Sequence, residues 1–350
     1  MANTDIIIIG SGLAGLTTAY LLEKEGITST ILEARQRLGG RIFTQHRNEE
    51  PPVELGATWL GKKHDNLVAL LEELDIGIFE QQMGSKAFFE PISTSPPQLV
   101  QLPENEEPTY RIEGGTDAVI RELSNRLSNS QILTGQRVQS IRQDDRKIVI
   151  ETQQEQFKSN HLISTLPPNL LVKTVSFSPK LPAGLLKIAR KTHTWMAESI
   201  KVGLVYKRPF WLDKNTSGTI MSNVGPLTEL YDHSSSDGDE YALTGFMNGA
   251  YHQLSRKERE SMVITQLKKF YGAKAENHIR YIDQPWKSES LTFETYDEEI
   301  IPHQHNGHSV YQKAYWNDRL YLAGSETASS FPGYMDGAVE SARRVVEQIV

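Results

Sequence analysis

One stretch, Asp5 to Arg41, constrains the fold more than any other: DIIIIGSGLAGLTTAYLLEKEGITSTILEARQRLGGR. Ile6 to Ile9 is an unbroken β-branched apolar run, as a parallel strand buried on both faces requires. Gly10-Ser11-Gly12-Leu13-Ala14-Gly15 follows directly. Leu13, Leu16, Ala19, Tyr20 and Leu21 then recur at helical spacing, so the glycines open a helix. A second apolar run, Ser29 to Leu32, ends in Glu33. The order strand, G-x-G-x-x-G, helix, strand, acid describes one βαβ unit. Gly10 permits the tight turn, Gly12 lets a pyrophosphate approach the backbone, and Gly15 lets helix and strand pack closely. Unpaired N–H groups at the helix start, among Ser11, Leu13 and Ala14, together with the helix dipole favour two phosphates. Glu33 stands where an acid accepts hydrogen bonds from an adenosine ribose. The pattern predicts a dinucleotide site; the plainer alternative is a βαβ turn with a surface glutamate.

The residues after the second strand choose the dinucleotide. Glu33-Ala34-Arg35-Gln36-Arg37-Leu38-Gly39-Gly40-Arg41 resembles the E-x-x-x-R-x-G-G-R segment of the flavin-containing amine oxidase superfamily. The resemblance implies FAD, with Gly39-Gly40 turning the chain under the flavin and Arg41 facing the pyrophosphate. A nicotinamide-dependent dehydrogenase has no reason for this segment. Glu54-Leu55-Gly56-Ala57-Thr58-Trp59 resembles the family's second flavin-contacting segment, where a Gly-Ala pair admits the isoalloxazine ring; alternatively it is a turn around a packed Trp59. Arg111 to Thr116 matches a G-G turn before a helix, and Val138 takes the position whose backbone meets adenine.

Further matches concern the reacting end of the cofactor. Ser199 to Tyr206, followed by Pro209-Phe210-Trp211, resembles the family's I-K-x-x-x-x-Y strand leading to F-W. There Lys201 would lie near flavin N5 and hold a water. An ammonium in an apolar strand is costly to desolvate and needs a partner; otherwise Lys201 snorkels from a half-exposed strand. In Trp286 to Tyr296 (WKSESLTFETY), Trp286 would pack on the flavin and Tyr296 would flank the substrate, or else serve as a core tyrosine. The family's glycine-rich turn is absent: Phe293 and Glu294 replace it, and Thr295 stands where some members carry a flavin-linking cysteine. Arg319 to Thr327 reads as a strand ending in G-x-E-T, with Gly324 at the turn, and Pro332 onward opens the last helix. By resemblance, Glu326 binds the ribityl or phosphate region. Tyr334 faces the flavin, and Met335 and Ala338 carry the helix start toward it, favouring the reduced ring.

Composition narrows the rest. The chain has 350 residues and no cysteine, which excludes disulfides, cysteine-ligated metals and a cysteinyl flavin link, so FAD is expected to be non-covalent. A net charge of −7 without a basic stripe excludes nucleic acid as an expected partner. No apolar run approaches the ~18 residues of a membrane span, and a first strand beginning near residue 5 leaves no room for a signal peptide, so a cytoplasmic location is expected. His303, His305 and His308 lie in a Gly- and Pro-containing segment without acidic partners, and are expected to be solvated loop residues and not a metal site.

The remaining chain reads as follows. Residues 64–75 form an amphipathic helix through Leu67, Leu70, Leu71 and Leu74. Residues 91–108, crowded with prolines, are expected to be irregular. Residues 62–110 are too few for the helical cap of larger family members, which implies a more open or differently capped cavity. Helix is expected from 116 to about Leu127 and over 181–190. Strands are expected at 131–133, 137–142, 147–152, 161–166 and 241–249, and a loop tip at 232–240. Ser255-x-x-Glu258 is a capping box. The fold class is α/β with α+β elements: a Rossmann-type FAD-binding domain (1–61, 111–175 and 286–350) interleaved with a smaller substrate domain on a mixed or antiparallel sheet (62–110 and 176–285). The resemblance implies oxidation of an amine by hydride transfer to flavin N5, with Lys201, Trp286, Tyr296 and Tyr334 at the reacting end and O2 accepting electrons to give H2O2. A flavin dehydrogenase or desaturase on a non-amine substrate, or a flavin-binding protein without turnover, shares the cofactor motifs.

Overall fold

The computed structural model describes residues 5–103, 106–144, 147–214 and 216–350. Its first sheet is parallel throughout, with strands in the order Gln131–Leu133, Ser29–Leu32, Ile6–Ile9, His161–Ser164 and Leu320–Leu322. Ile6–Ile9 is central and buried along its whole length, which is why it reads as a continuous apolar run. The glycine-opened helix Leu13–Lys24 packs against the last helix, Met335–Ile349, so the two ends of the chain share one core.

Among the described residues, two further large sheets and two small ones, Thr44–Arg47 with Glu50–Glu54 and Leu60–Gly61, Thr109–Ile112, Ile78–Glu80, complete the architecture. A four-stranded sheet, Gln156–Ser159, Lys147–Thr152, Val138–Asp144 and Ser176–Ser178, covers the other face of the parallel sheet. A seven-stranded, mostly antiparallel sheet runs His278–Pro285, Ile200–Tyr206, Tyr241–Met247, Leu227–Asp232, Ile220–Ser222, Lys86–Glu90, Gln98–Gln101. The helix Arg256–Tyr271 packs on it, opened by the Ser255–Glu258 capping box with both bonds formed.

Several expectations need correction. Residues 91–108 are not wholly irregular: Gln98–Gln101 is the return strand of a hairpin with Lys86–Glu90. It is an edge strand with little burial, so no inward-outward alternation marks it in the sequence. Residues 232–240 are not all loop tip, because Asp232 ends a strand and both Asp232 and His233 are buried. Pro167-Pro168 does more than close a strand: Pro168 opens a short helix, Pro168–Thr174, which Ser176–Ser178 follows.

Several short segments pack across the layers. The helix Asp65–Glu73 buries Leu67, Leu70 and Leu71 in the core shared by the two chain ends. Leu181 and Leu185 likewise pack against the parallel sheet. Conversely, Val53 and Leu55 pack on Val205, Ala242 and Ile282 of the seven-stranded sheet. Each of these short segments buries one apolar face, and that face meets whichever sheet lies opposite, whatever its place in the chain.

Candidate active site

A cavity of about 910 Å³ runs from the first glycine turn to the seven-stranded sheet. At one end, Gly10 adopts φ 98°. An ideal Cβ on Gly15 would lie 2.0 Å from the Gly10 carbonyl oxygen, so helix and strand are in backbone contact there. Gly12 is the N-cap of the helix, with no side-chain cap and no acid in the first turn. Its hypothetical Cβ would meet nothing nearer than 3.9 Å. The first N–H groups therefore face open cavity, as an anion site requires. Gly39 N–H donates to the Ser11 carbonyl at 2.9 Å, which seats the second glycine pair beside the first.

The acid at the strand end is held in place. Glu33 Oε2 accepts from Ser11 N–H at 2.9 Å and from the Ser11 hydroxyl at 2.8 Å, and Oε1 accepts from Arg35 N–H at 2.8 Å. Each carboxylate oxygen keeps further lone-pair capacity toward the cavity it lines. Ala34, Arg35 and Val138 line the same end. The Arg35 guanidinium is engaged by Glu289 at 2.9 Å and by Thr292, itself on the cavity wall, at 2.6 Å. The donor set fits a ribose and a diphosphate: unpaired N–H groups, a positioned carboxylate, and a turn whose one side chain, Ser11, is buried against that carboxylate.

At the other end stands Lys201, fully buried in Ile200–Tyr206. Its Nζ donates to Thr58 Oγ1 at 3.0 Å. It lies 4.0 Å from the Trp59 ring centroid and 4.2 Å from that of Phe246. Burial drives its pKa down to about 7, while the charges of Glu54 and Glu229 oppose the fall. It does not snorkel. Gly56, Ala57, Thr58, Trp59 and Trp286 line this end, and Trp286 Nε1 donates to the Leu55 carbonyl at 2.8 Å. Gly40, Arg41, Gly324, Met335 and Ala338 line the passage between the ends. The last helix begins here with Tyr334 as an N-cap that makes no side-chain cap bond.

Behind Lys201 lies a buried polar network that spans both layers. Glu54 accepts from Thr116 N–H at 2.6 Å and from Thr44 Oγ1 at 2.8 Å. Burial raises its carboxyl to about 7. Arg111 Nη1 donates to His233 Nδ1 at 2.9 Å. Arginine has only donors, so that ring nitrogen accepts and the imidazole is neutral; burial and the Arg111 charge hold its pKa well below the usual value. Asp232 accepts from Trp211 Nε1 at 2.6 Å. These partners lie over a hundred residues apart or on different elements, and only the unusual pairing of Asp232 with His233 at a strand end hinted at them.

Two assigned residues sit elsewhere. Tyr296 does not line the cavity: its Oη accepts from Thr194 N–H at 2.8 Å and its ring packs on Phe293 at 5.5 Å. Phe293 in place of the family's glycine supplies the ring that holds it there. Glu326 does not line the cavity either, because both its oxygens are bound by Arg41, at 2.5 and 2.8 Å. Ser11 and Gly15 lie just beneath the lining, as buried backbone supports. The sequence reading missed Trp195, Glu198, Glu229 and Tyr231, all of which line the cavity. His303 is not a solvated loop residue: it stacks on Trp195 with ring centroids 3.9 Å apart. Among the described residues, no group of three or more His, Asp or Glu side chains is placed to hold a metal ion.

Fold and site together define a flavin-dependent oxidoreductase built on a Rossmann-like nucleotide-binding core. The family model for flavin containing amine oxidoreductases matches residues 78–350, and one for NAD(P)-binding Rossmann-like domains matches residues 8–74. The chain belongs to the flavin-containing amine oxidoreductase family. It is 24% identical to a probable flavin-containing monoamine oxidase A of Dictyostelium discoideum, over 99% of this chain and 97% of the relative. It is also 24% identical to the human flavin-containing amine oxidase B, over 99% of this chain and 86% of the relative. The first of these alignments runs over 447 positions, so a substantial stretch of the relative has no counterpart in 350 residues. In fold, the chain resembles a putrescine oxidase solved with putrescine bound (TM-score 0.86, 20% identity) and the cyclohexylamine oxidase of Brevibacterium oxydans (TM-score 0.86, 16% identity), each over 99% of both chains. No helix among the described residues is long and apolar enough to cross a membrane.

Proposed function

We propose that this protein oxidises a primary or secondary amine to the imine using non-covalently bound FAD, with O2 as the final acceptor and H2O2 as product. The observation that carries the reading is Lys201: a fully buried amine on the cavity wall whose only side-chain hydrogen-bond partner among the described residues is the Thr58 hydroxyl. Two of its three protons remain for a water on the cavity side. A bound flavin supplies the two-electron acceptor, and the protein supplies position and electrostatics.

The side chains divide the remaining work. The helix starts at Leu13 and Met335 favour negative charge at the diphosphate and at the reduced ring. Trp286 and Thr58 hold one side of the ring end, and Trp59 and Phe246 close off solvent around Lys201. Among the described residues no carboxylate hydrogen-bonds Lys201, although Glu54 and Glu229 act on it through their charge, and this suits an amine that reacts in its neutral form. One cavity-wall feature narrows the substrate. Glu229 is half-buried, accepts only the Tyr231 hydroxyl at 2.8 Å, and forms no ion pair among the described residues. Its neighbours on the wall are aromatic. Lys201 feels the Glu229 charge but makes no ion pair with it, and burial holds that lysine near neutrality; a carboxylate so placed favours a substrate with a second ammonium, so a short diamine is the preferred class.

The test is peroxide release by the flavin-loaded protein across monoamines, diamines, polyamines and amino acids. Peroxide from at least one amine class, diamines foremost, is the expected result. Flavin bleaching by an amine without peroxide would turn the reading from oxidase to dehydrogenase. No bleaching by any amine would end it.

A further inference from the structure

The aromatic pair that sequence spacing assigns to the substrate, Tyr296 and Tyr334, does not face itself across this cavity. Tyr334 is on the wall, while Tyr296 lies behind Thr194. The ring that stands beside Tyr334 is Trp195, at 5.7 Å between centroids and 40° between planes. Trp195 is held from three sides. Its backbone N–H donates to Glu326 Oε1 at 3.3 Å, and its backbone carbonyl accepts from Arg41 Nη1 at 3.4 Å. Its indole stacks on His303, which itself lies 14° from parallel to Tyr334 at 5.8 Å. A Cβ on Gly333, the residue before Tyr334, would come within 2.8 Å of the Trp195 Cβ. The backbone at Gly333 thus leaves room for this tryptophan only because it has no side chain.

We propose that Trp195 is the aromatic partner of Tyr334 in holding the substrate, the place that spacing alone gives to Tyr296. The proposal rests on the reading of the cavity as an amine site. The faces of two electron-rich rings attract an ammonium at the cavity and then pack on the carbons next to it. Trp195 reaches this place from the segment 193–199, which contributes Trp195, Met196 and Glu198 to the wall. That segment and the His303 loop occupy cavity wall in a chain too short for the helical cap of larger relatives. The ion pair of Arg41 with Glu326 fixes the Trp195 backbone, so the ring is presented without being a cofactor ligand.

The test uses the FAD-loaded protein and a probe that cannot react: 2-phenylpropan-2-amine, which has no hydrogen on the carbon beside nitrogen. Its binding is followed by the shift of the flavin absorption bands, and FAD content is measured on every variant. Trp195→Ala is expected to weaken binding at least about tenfold, the scale of a lost cation–π and packing contact, with FAD content unchanged. Trp195→Phe should stay within about threefold and Tyr296→Phe within about twofold, because neither removes a ring from the wall. If Trp195→Ala does not fold, His303→Ala removes the ring stacked beneath the indole and should weaken the probe by about threefold. The proposal is overturned if Tyr296→Phe weakens the probe as much as Trp195→Ala does, or if Trp195→Ala and His303→Ala both bind it as the wild type does. Loss of FAD from Trp195→Phe, or a wild-type spectrum that the probe leaves unchanged, overturns it too. If the variants follow the expected order yet no amine is ever oxidised, the amine-oxidation reading fails while Trp195 keeps its place.

Discussion

Arg41 and Glu326, 285 residues apart, form a two-pronged ion pair at 2.5 and 2.8 Å with the glutamate fully buried. The pair ties the segment after the second strand to the segment before the last helix. Burial alone would raise the Glu326 carboxyl, but the Arg41 charge and hydrogen bonds hold it below its ordinary range. Glu326→Gln leaves a guanidinium without its counter-charge and is expected to cost about 3–5 kcal/mol, the range for breaking one partner of a buried pair. The sign of the pH dependence follows: stability from this carboxylate is full above the unfolded pKa and is lost as acid protonates it in the fold. Urea unfolding of wild type and variant from neutral pH to well below the ordinary glutamate pKa of ~4.3 checks both; equal slopes in that acid range would count against the pair.

Lys201 behaves in the opposite sense. Its folded pKa of about 7 lies below the 10.5 of an exposed lysine. Between these values the unfolded chain holds the proton and the folded chain does not, so stability rises with pH across that window. Lys201→Met is expected to stabilise the protein at pH 7, to flatten the rise above it, and to slow flavin reduction or reoxidation by about 10²-fold, the low end of a positioned proton-transfer group. Urea midpoints at pH 7 and 9 and stopped-flow flavin kinetics read the two effects on one variant.

Glu54 contributes the complementary slope. Burial raises its carboxyl from 4.5 to about 7. As pH rises from 4.5 to 7 the unfolded carboxyl ionises first, so this group makes the fold less stable with rising pH. Glu54→Gln keeps an oxygen for Thr116 N–H, puts an amide NH2 toward the Thr44 hydroxyl oxygen, and should remove that slope. It should also lower the Lys201 pKa further, because the opposing negative charge is gone. A shift of the Lys201-dependent limb of the pH–rate profile toward acid is the expected signature; an unmoved limb would show the two groups to be uncoupled.

The sequence was most legible where chemistry fixes the local backbone. Gly10, Gly12, Gly15 and Glu33 take their places through contacts within one βαβ unit, and Lys201 declared itself as a charge in an apolar strand. What was not legible depends on which surfaces meet. Leu227–Asp232 and Ile220–Ser222 are short and mixed in polarity, and they become strands only against Tyr241–Met247 and Lys86–Glu90. Trp195 and Glu229 lie on elements with no motif of their own. Tyr296 kept the spacing of its relatives but not their glycine turn, and Phe293 in that turn holds it off the wall. Spacing along the chain could not show that a neighbour had changed the direction of the ring.

Glu229 separates substrate preference from chemistry. A charge-assisted contact is worth about 1.5–3 kcal/mol, or roughly 10- to 150-fold in affinity. Glu229→Gln should raise KM for a short diamine by about that factor and change it by less than about threefold for a monoamine of equal chain length, with kcat little altered for either. Steady-state peroxide assays on matched amine pairs decide this. A loss shared equally by both amines would make Glu229 a counter-charge for Lys201 and not a substrate contact.

The cofactor assignment has its own test in a single methyl group. A Cβ on Gly15 would fall 2.0 Å from the Gly10 carbonyl oxygen and 3.4 Å from Ile8 Cγ2. Both neighbours belong to the central strand and its turn, so neither can move without shifting the helix Leu13–Lys24 off the sheet. That shift redirects the N–H groups that face the cavity. Gly15→Ala is therefore expected to cost more than about 3 kcal/mol and to yield protein that loses FAD on gel filtration. Gly184→Ala is the control: nothing lies within 4 Å of its Cβ, its φ is not positive, and it sits inside the helix Ala183–Ala189. There alanine should be neutral or stabilising by up to about 1 kcal/mol. Equal FAD retention by the two variants would mean that the glycine turn does not carry the diphosphate.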